Sequence, residues 1–250
     1  MSEHILIERQ GAVQVIRINR PDKKNALTRA MYTAMAEALA EGDADPSIRV
    51  HVFLGVPGAF SAGNDLADFL VIATGGEGGQ EVWDFLLVLA RTRKPLVSGV
   101  DGIAVGIGTT LNLHCDLTFA TQRTVFRTPF VDLGLVPEAG SSLLVPHILG
   151  QQRAFALLGL GEGLSAGEAK ACGLIYDVVE ESALEPAVLG AAERIAAKPP
   201  QALRIARDLM RGSRDELVAR IGAEAQAFRE RLKSDEARAA LVAFMDRKKG

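Results

Sequence analysis

The sequence predicts an α/β fold. Three observations carry that expectation: short apolar runs of strand length recur along the first two thirds, segments with helical spacing separate them, and the last third reads almost entirely as helix. Nearly continuous apolar strands point to sheets covered on both faces.

The elements follow in order. Ile5–Ile7 and Val13–Ile18 flank Gln10-Gly11-Ala12, a hairpin signal with alternating apolar residues. Thr28 is placed to cap a helix running to about Glu41, with Met31, Met35, Ala38 and Leu39 on one face. Val50–Leu54 and Leu96–Val100 are short apolar strands, and Leu117–Ala120 and Val125–Phe126 read as two more. Helices are expected over Gln80–Thr92 and Gly108–His114. Thr74-Gly75-Gly76-Glu77-Gly78-Gly79 is expected to be a mobile loop, because glycine-rich backbone is costly to order.

Ser165-Ala166-Gly167-Glu168 is a capping box for a short helix that stops at Gly173. After Val178 and Val179 the pattern is helical. Pro199 and Pro200 break it and open a new helix. Ser213-Arg214-Asp215-Glu216 is a second capping box, leading a helix through Phe228 to about Leu232. Ser234 begins a last helix bearing Leu241, Val242, Phe244 and Met245. Such wide apolar stripes must pack on the core or on another subunit. We divide the chain into a core over residues 1–195 and a C-terminal helical region over residues 196–250.

With 250 residues and 48% hydrophobic content, the chain can bury one sizeable core. A net charge of −3 gives no broad cationic surface, so nucleic acid is not an expected partner. Cys115 and Cys172 lack CxxC spacing, which fits reduced intracellular thiols and a cytoplasmic location. The N-terminus has no basic region followed by an apolar stretch, so no secretory signal is read there. The longest apolar stretch, Pro95 to Leu113, holds Asp101 and four glycines, so no membrane span is expected.

The chemistry concentrates in two backbone-rich stretches and one acid. Phe60-Ser61-Ala62-Gly63-Asn64-Asp65-Leu66 and Gly102-Ile103-Ala104-Val105-Gly106-Ile107-Gly108-Thr109 read as turns that each aim a main-chain N–H into one pocket. Two such donors stabilise charge developing on a carbonyl oxygen. Glu138, in the polar loop Val136-Pro137-Glu138-Ala139-Gly140, is the carboxylate that would face them, and that pairing suggests proton abstraction beside a carbonyl.

In their order along the chain these stretches resemble the crotonase superfamily of enoyl-CoA hydratases and isomerases. The resemblance extends to Arg20-Pro21-Asp22-Lys23-Lys24-Asn25-Ala26-Leu27, Cys115-Asp116 and Leu164-Ser165-Ala166-Gly167-Glu168-Ala169, and covers essentially the whole chain. It implies a spiral of ββα turns with a C-terminal helical trimerisation region, hence a homotrimer or a dimer of trimers. It implies an acyl-CoA thioester substrate, with no metal and no cofactor beyond the coenzyme A that the substrate carries. The oxyanion N–H groups would belong to Asn64 and Ile107, where isoleucine departs from the commoner glycine. Contacts to the CoA and acyl parts would come from Lys23, Lys24, Asn25, Ala26, Ala62, Gly63, Asp65, Leu66, Gly106 and Phe130, and from Lys248 of the terminal Arg247-Lys248-Lys249 run.

One departure decides between branches. Hydratases of this family carry two glutamates, and Thr110 and Phe130 occupy those positions here. Glu138 instead resembles the single catalytic glutamate of the peroxisomal-type Δ3,Δ2-enoyl-CoA isomerases. Hydration needs groups acting at two carbons, whereas shifting a double bond needs one proton removed and one returned. The resemblance therefore favours an isomerase, with a hydratase or another crotonase-fold acyl-CoA enzyme next, and a non-catalytic CoA-binding protein as the reading from another class.

Several plainer readings stand beside these. Gly106-Ile107-Gly108 lacks the third glycine of a dinucleotide fingerprint, since Leu111 fills its place. His114-Cys115-Asp116 cannot easily converge on one metal ion, and core packing is the simpler expectation. Asp65 could hold its turn rather than touch substrate, Thr110 could be a helix-interior threonine, and the terminal basic run could be a solvated tail. Phe69, Trp83, Phe85 and Phe130 are candidates for the pocket wall.

Overall fold

A computed structural model describes residues 2–73, 76 and 78–247, without the side chains of residues 72–73 and 244–247. Thr74, Gly75 and Glu77 of the glycine-rich patch, and the candidate phosphate contacts Lys248 and Lys249, lie outside the described residues.

Ile5–Gln10 (β1) and Val13–Ile18 (β2) pair antiparallel with Gln10 opposite Val13, as the hairpin pattern requires. Gly11 takes the positive φ of 59° in the turn between them. Arg29–Ala44 (α1) runs three residues past the expected end and buries Met31, Met35, Ala38 and Leu39. Thr28 sits at its N-cap but its hydroxyl makes no capping bond; the carboxylate of Asp68 accepts from Arg29 N instead, at 3.1 Å.

Val50–Leu54 (β3) leads to Ala59–Ser61 (β4), then to the helices Leu66–Ala73 (α2) and Gln80–Arg91 (α3). Leu96–Val100 (β5) leads to Ile103–Val105 (β6) and the single helical turn Ile107–Thr110 (α4), which tightens into a 3-10 turn over Leu111–His114. Leu117–Thr121 (β7) leads to Val125–Arg127 (β8), then to Ser141–Leu149 (α5) and Gln151–Leu158 (α6). Three successive strand–strand–helix turns thus wind through the core. Leu164–Ser165 (β9), Ala166–Ala171 (α7) and Asp177–Val179 (β10) close it. Ser165 and Glu168 form the expected reciprocal capping box.

Each turn contributes one strand to each of two sheets. The larger sheet has the order β1-β2-β3-β5-β7-β10, parallel after the first hairpin, and the smaller has β4-β6-β8-β9. The strands of the smaller sheet span only two or three residues. Strands so short carry no periodicity, which is why β4, β6 and β9 do not stand out in the sequence.

The C-terminal helices are Leu184–Ala196 (α8), Pro200–Arg211 (α9), Arg214–Leu232 (α10) and Asp235–Arg247 (α11). Leu184, Val188 and Ala191 of α8 cover Val13, Val15, Val50, Val52 and Val97 on one face of the large sheet. Ile221, Ala225, Phe228 and Leu232 of α10, with Ala237 and Leu241 of α11, join the main core. Burying a large apolar side chain is worth roughly 2 kcal/mol, so α10 is a structural wall of the core. On α9, the buried Arg207 donates to Asp116 at 2.8 Å and to the carbonyl of Thr92 at 2.9 Å. Among the described residues no helix is long and apolar enough to cross a membrane.

Candidate active site

β4 and β6 lie side by side and parallel, with Ser61 opposite Ala104. The two expected turns therefore leave the same end of the small sheet. After β4, Gly63 adopts φ 88°. Leu27 N donates to Gly63 O at 2.8 Å and Asp65 N donates to Leu27 O at 2.9 Å. The residue between them, Asn64, donates its own peptide N–H to nothing among the described residues. After β6, Gly106 takes φ 57° and its carbonyl accepts from Thr109 N and Thr110 N. The N–H of Ile107, first in α4, is one of the groups a helix start leaves open, and it too has no acceptor.

Two glycines let these turns touch backbone to backbone. A Cβ on Gly63 would stand 2.9 Å from Val105 O, and one on Gly108 would stand 2.7 Å from Ser61 O. Both approaches are closer than a side chain tolerates.

Glu138 is buried at 2% exposure. Thr110 Oγ1 donates to its Oε1 at 2.5 Å, while its Oε2 has no partner among the described residues. Burial pushes the carboxyl up to about 8; the Thr110 bond pulls against that rise and the charge of Glu224 adds to it. The acid is held in a tight turn in which Ala139 and Gly140 have φ 59° and 72°. Ser141 N closes the turn on Glu138 O at 3.0 Å.

Two neighbours fix that turn. Burial lowers His114 to about 4, so its ring is neutral at ordinary pH. Its Nε2 lies 2.8 Å from Ala139 O, and a carbonyl can only accept, so Nε2 carries the hydrogen and the unpartnered Nδ1 is bare. Glu224, from α10, accepts from Gly140 N at 2.6 Å, Ser142 N at 2.9 Å and Ser142 Oγ at 2.5 Å. It thereby takes up amides at the start of α5 that a helix cannot satisfy itself.

Asn64 and Glu138 line one cavity of about 30 Å³ whose walls include Phe69, Trp83, Phe228 and Leu232. Phe228 meets Phe69 and Trp83 edge-on, with centroids at 5.8 and 5.6 Å. Of the four aromatic wall candidates, Phe69 and Trp83 line this cavity. Phe85 is fully buried against Tyr32, at 5.5 Å, and Phe130 lies near Gly106. The Tyr32 hydroxyl donates to Asn64 Oδ1 at 2.5 Å. Burial, helped by the charges of Glu138 and Asp68, raises the Tyr32 phenol well above its usual range, so it stays protonated.

The Arg20–Leu27 loop reaches the first turn through Ala62 N, which donates to Lys24 O at 2.9 Å. Lys23 and Lys24 are exposed, and Ala26, Ala62 and Leu66 are half-buried beside them. Asn25 is fully buried: its amide donates to the carbonyls of Ile18, Ala59 and Phe60 and accepts from Arg20 N. It shapes the loop from inside rather than presenting a group to a ligand. Asp65 pairs with Arg20 at 2.7 Å and accepts from Ala67 N at 3.0 Å, capping α2. Burial works to raise Asp65, yet the Arg20 guanidinium and the Ala67 amide hold it below the usual carboxylate range. His114, Cys115 and Asp116 take separate partners: Ala139 O, Leu111 O, and Arg207 with Leu96 N.

Sequence reasoning missed Tyr32, Glu224 and the hold of His114 on Ala139. Tyr32 is hidden in the apolar face of α1, and Glu224 reads as one of many helix carboxylates. Thr110 carried a signal, since it occupies a family acid position.

A sequence model of the enoyl-CoA hydratase/isomerase family matches residues 8–250. "Enoyl-CoA delta isomerase 2" of Rattus norvegicus is 36% identical over 253 residues, which cover 99% of this chain and 64% of that protein. The chain therefore spans just under two thirds of that relative's length. A "Probable enoyl-CoA hydratase" of Rhizobium meliloti (strain 1021) is 31% identical over 261 residues, covering 99% of this chain and 96% of that one. The solved structure of Pseudomonas aeruginosa OdaA superposes with a TM-score of 0.93 at 42% identity, covering 98% of this chain and 99% of that one.

Proposed function

We propose that this chain, which belongs to the enoyl-CoA hydratase/isomerase family, is an enoyl-CoA isomerase that moves the double bond of a 3-enoyl thioester to the 2-position. One observation carries the reading. Glu138 is buried with one oxygen held by Thr110 and the other unpartnered, in the cavity that Asn64 also lines. Thr110 and Phe130 stand where hydratases of this family carry their glutamates, so a single base must serve both proton transfers.

The thioester carbonyl oxygen accepts from the peptide N–H groups of Asn64 and Ile107. Glu138 Oε2 takes a proton from C2, and the electron pair enters a dienolate spread over C2, C3 and C4. The two amides carry the developing negative charge on oxygen, and losing one such donor typically costs about 10²–10³ in rate. Glu138 then returns the proton to C4, which leaves the double bond between C2 and C3. The reaction needs no metal, and coenzyme A enters only as part of the substrate. The exposure of Lys23 and Lys24, in the loop bonded to the first turn, supports their assignment to the CoA phosphates. We also assign Gly63, Gly106 and Leu66, in and beside the two turns, to contact with the thioester.

We assign the chain to a homotrimer or a pair of trimers. The exposed apolar row Ile205, Leu209 and Met210 on α9, at 52%, 79% and 80% exposure, supports self-association. Light scattering at several concentrations tests it. A cytoplasmic location is supported by the two free cysteines.

The decisive assay supplies a 3-enoyl-CoA and, separately, crotonyl-CoA, following the conjugated thioester absorbance. The isomerase reading expects absorbance to appear with the first substrate and Glu138→Gln to abolish that while keeping binding. Rapid loss of absorbance with crotonyl-CoA, dependent on Glu138, supports a hydratase instead. Binding without turnover in either assay supports a non-catalytic CoA-binding protein.

A further inference from the structure

The inner and outer ends of the cavity differ in charge. Glu138 and Asn64 mark the buried end, and Phe69, Trp83, Phe228 and Leu232 line the apolar middle. Arg229 also lines the cavity and is exposed, so it marks the rim. Its guanidinium stacks over the Trp83 ring at 5.4 Å, and Nη2 donates to Gln80 Oε1 at 3.1 Å. Gln80 is anchored in turn, donating from Nε2 to Asp84 Oδ1 at 2.8 Å. Among the described residues, no carboxylate pairs with Arg229, and its guanidinium donates only from Nη2, to Gln80.

We infer that Arg229 is a specificity-determining residue that receives the far end of the acyl group, and that this site favours 3-enoyl thioesters ending in a carboxylate. The inference rests on the isomerase reading above and names the substrate class for it. A planar guanidinium fixed on an aromatic face, with donors left over, matches a carboxylate through two parallel hydrogen bonds. The rim is where a chain anchored by its carbonyl at Asn64 and Ile107 would emerge. A charged end group there keeps partial contact with water while its methylenes occupy the apolar middle, so its desolvation cost stays small. A methyl end would leave the Arg229 charge unanswered.

The test compares 3-enoyl-CoA thioesters of equal length ending in carboxylate or methyl, over a ladder of chain lengths. The parent enzyme should favour the carboxylate-ended member in kcat/KM by about tenfold or more at its best length. Arg229→Met should bring that ratio close to one, chiefly through KM of the carboxylate-ended substrate, and Arg229→Lys should restore part of it. Circular dichroism melting checks that both variants fold. Affinity for the corresponding saturated thioesters, measured by calorimetry, reads the same preference without chemistry. A parent ratio near one at every length, in both turnover and affinity, overturns the inference, as does an unchanged ratio in Arg229→Met. Should neither unsaturated thioester isomerise while the saturated carboxylate-ended one binds preferentially, the isomerase reading falls and the ligand preference of Arg229 stands.

Discussion

Thr110 donates its hydroxyl to Glu138 Oε1 at 2.5 Å, which leaves Oε2 as the oxygen free to receive a proton. The threonine thus orients the carboxyl and also favours its ionised form, since the bond pulls the carboxyl down against burial. In Thr110→Val that support is gone. The pH at which kcat/KM rises should move upward, and activity at neutral pH should drop about tenfold, the equivalent of one hydrogen bond to a charged group. Thr110→Ser should recover most of it. An unmoved pH profile in the valine variant would detach Thr110 from the base.

Glu138 must be a carboxylate to accept a proton, yet burial raises it to about 8. In the parent enzyme kcat/KM for isomerisation should therefore climb as pH increases and level off above about pH 8. A profile already flat at pH 6 would place the working base elsewhere.

The same raised value has a consequence for stability. Between the ordinary value of 4.5 and about 8 the folded chain holds a proton on Glu138 that the unfolded chain has lost. Folding stability must then fall as pH rises through that window. Glu138→Gln removes the dependence. Its melting temperature should match the parent near the lower edge of the window and exceed it by roughly 10 °C or more at the upper edge. Parallel melting curves across the window would contradict the assigned burial.

Glu224 tests the support of the Glu138 turn. Glu224→Ala strands the amides of Gly140 and Ser142, and urea unfolding should show a loss of about 2–4 kcal/mol with kcat reduced more than KM changes. Glu224→Gln keeps an acceptor but deletes the charge that helps to raise Glu138. Its kcat/KM profile should therefore rise at lower pH than in the parent.

Gly108 is where the turns after β4 and β6 touch. A methyl there would meet Ser61 O at 2.7 Å, forcing α4 away from β4. Gly108→Ala should cut kcat by about tenfold to a hundredfold, because misplacement of roughly 1 Å at a reacting site is costly. Gly167 in α7 is the control: an added Cβ meets nothing, so Gly167→Ala should leave kcat unchanged and stabilise the helix by about 0.5–1 kcal/mol.

Strands β1, β2, β3, β5 and β7 of the large sheet and the helices α1, α3, α7 and α10 were legible because each carries periodicity or a cap at its own length. Strands β4, β6, β9 and β10 were not, since two or three residues define no period, and β8 stood out only as the apolar pair Val125–Phe126. Helices α5 and α6 escaped for another reason: Pro146 lies inside the first, and Gly150 is their whole connection. Within the site, Asn64, Ile107 and Glu138 were legible as motif residues, but their supports were not. Tyr32, His114 and Glu224 act through hydrogen bonds between segments far apart in sequence, and no local pattern records such partners; Thr110 was legible only as the occupant of a family acid position. Thr28 is the converse, a recognisable cap whose hydroxyl makes no capping bond while Asp68 supplies an acceptor from another element.

The carboxylate that steadies the Glu138 turn lies 84 residues beyond Gly140, on a helix made only after every strand of both sheets. A growing chain would complete its sheets with the proposed proton-transfer centre still slack, and only docking of the penultimate helix would tune it. Nicking the finished protein between α9 and α10 should accordingly silence turnover well before the sheets come apart.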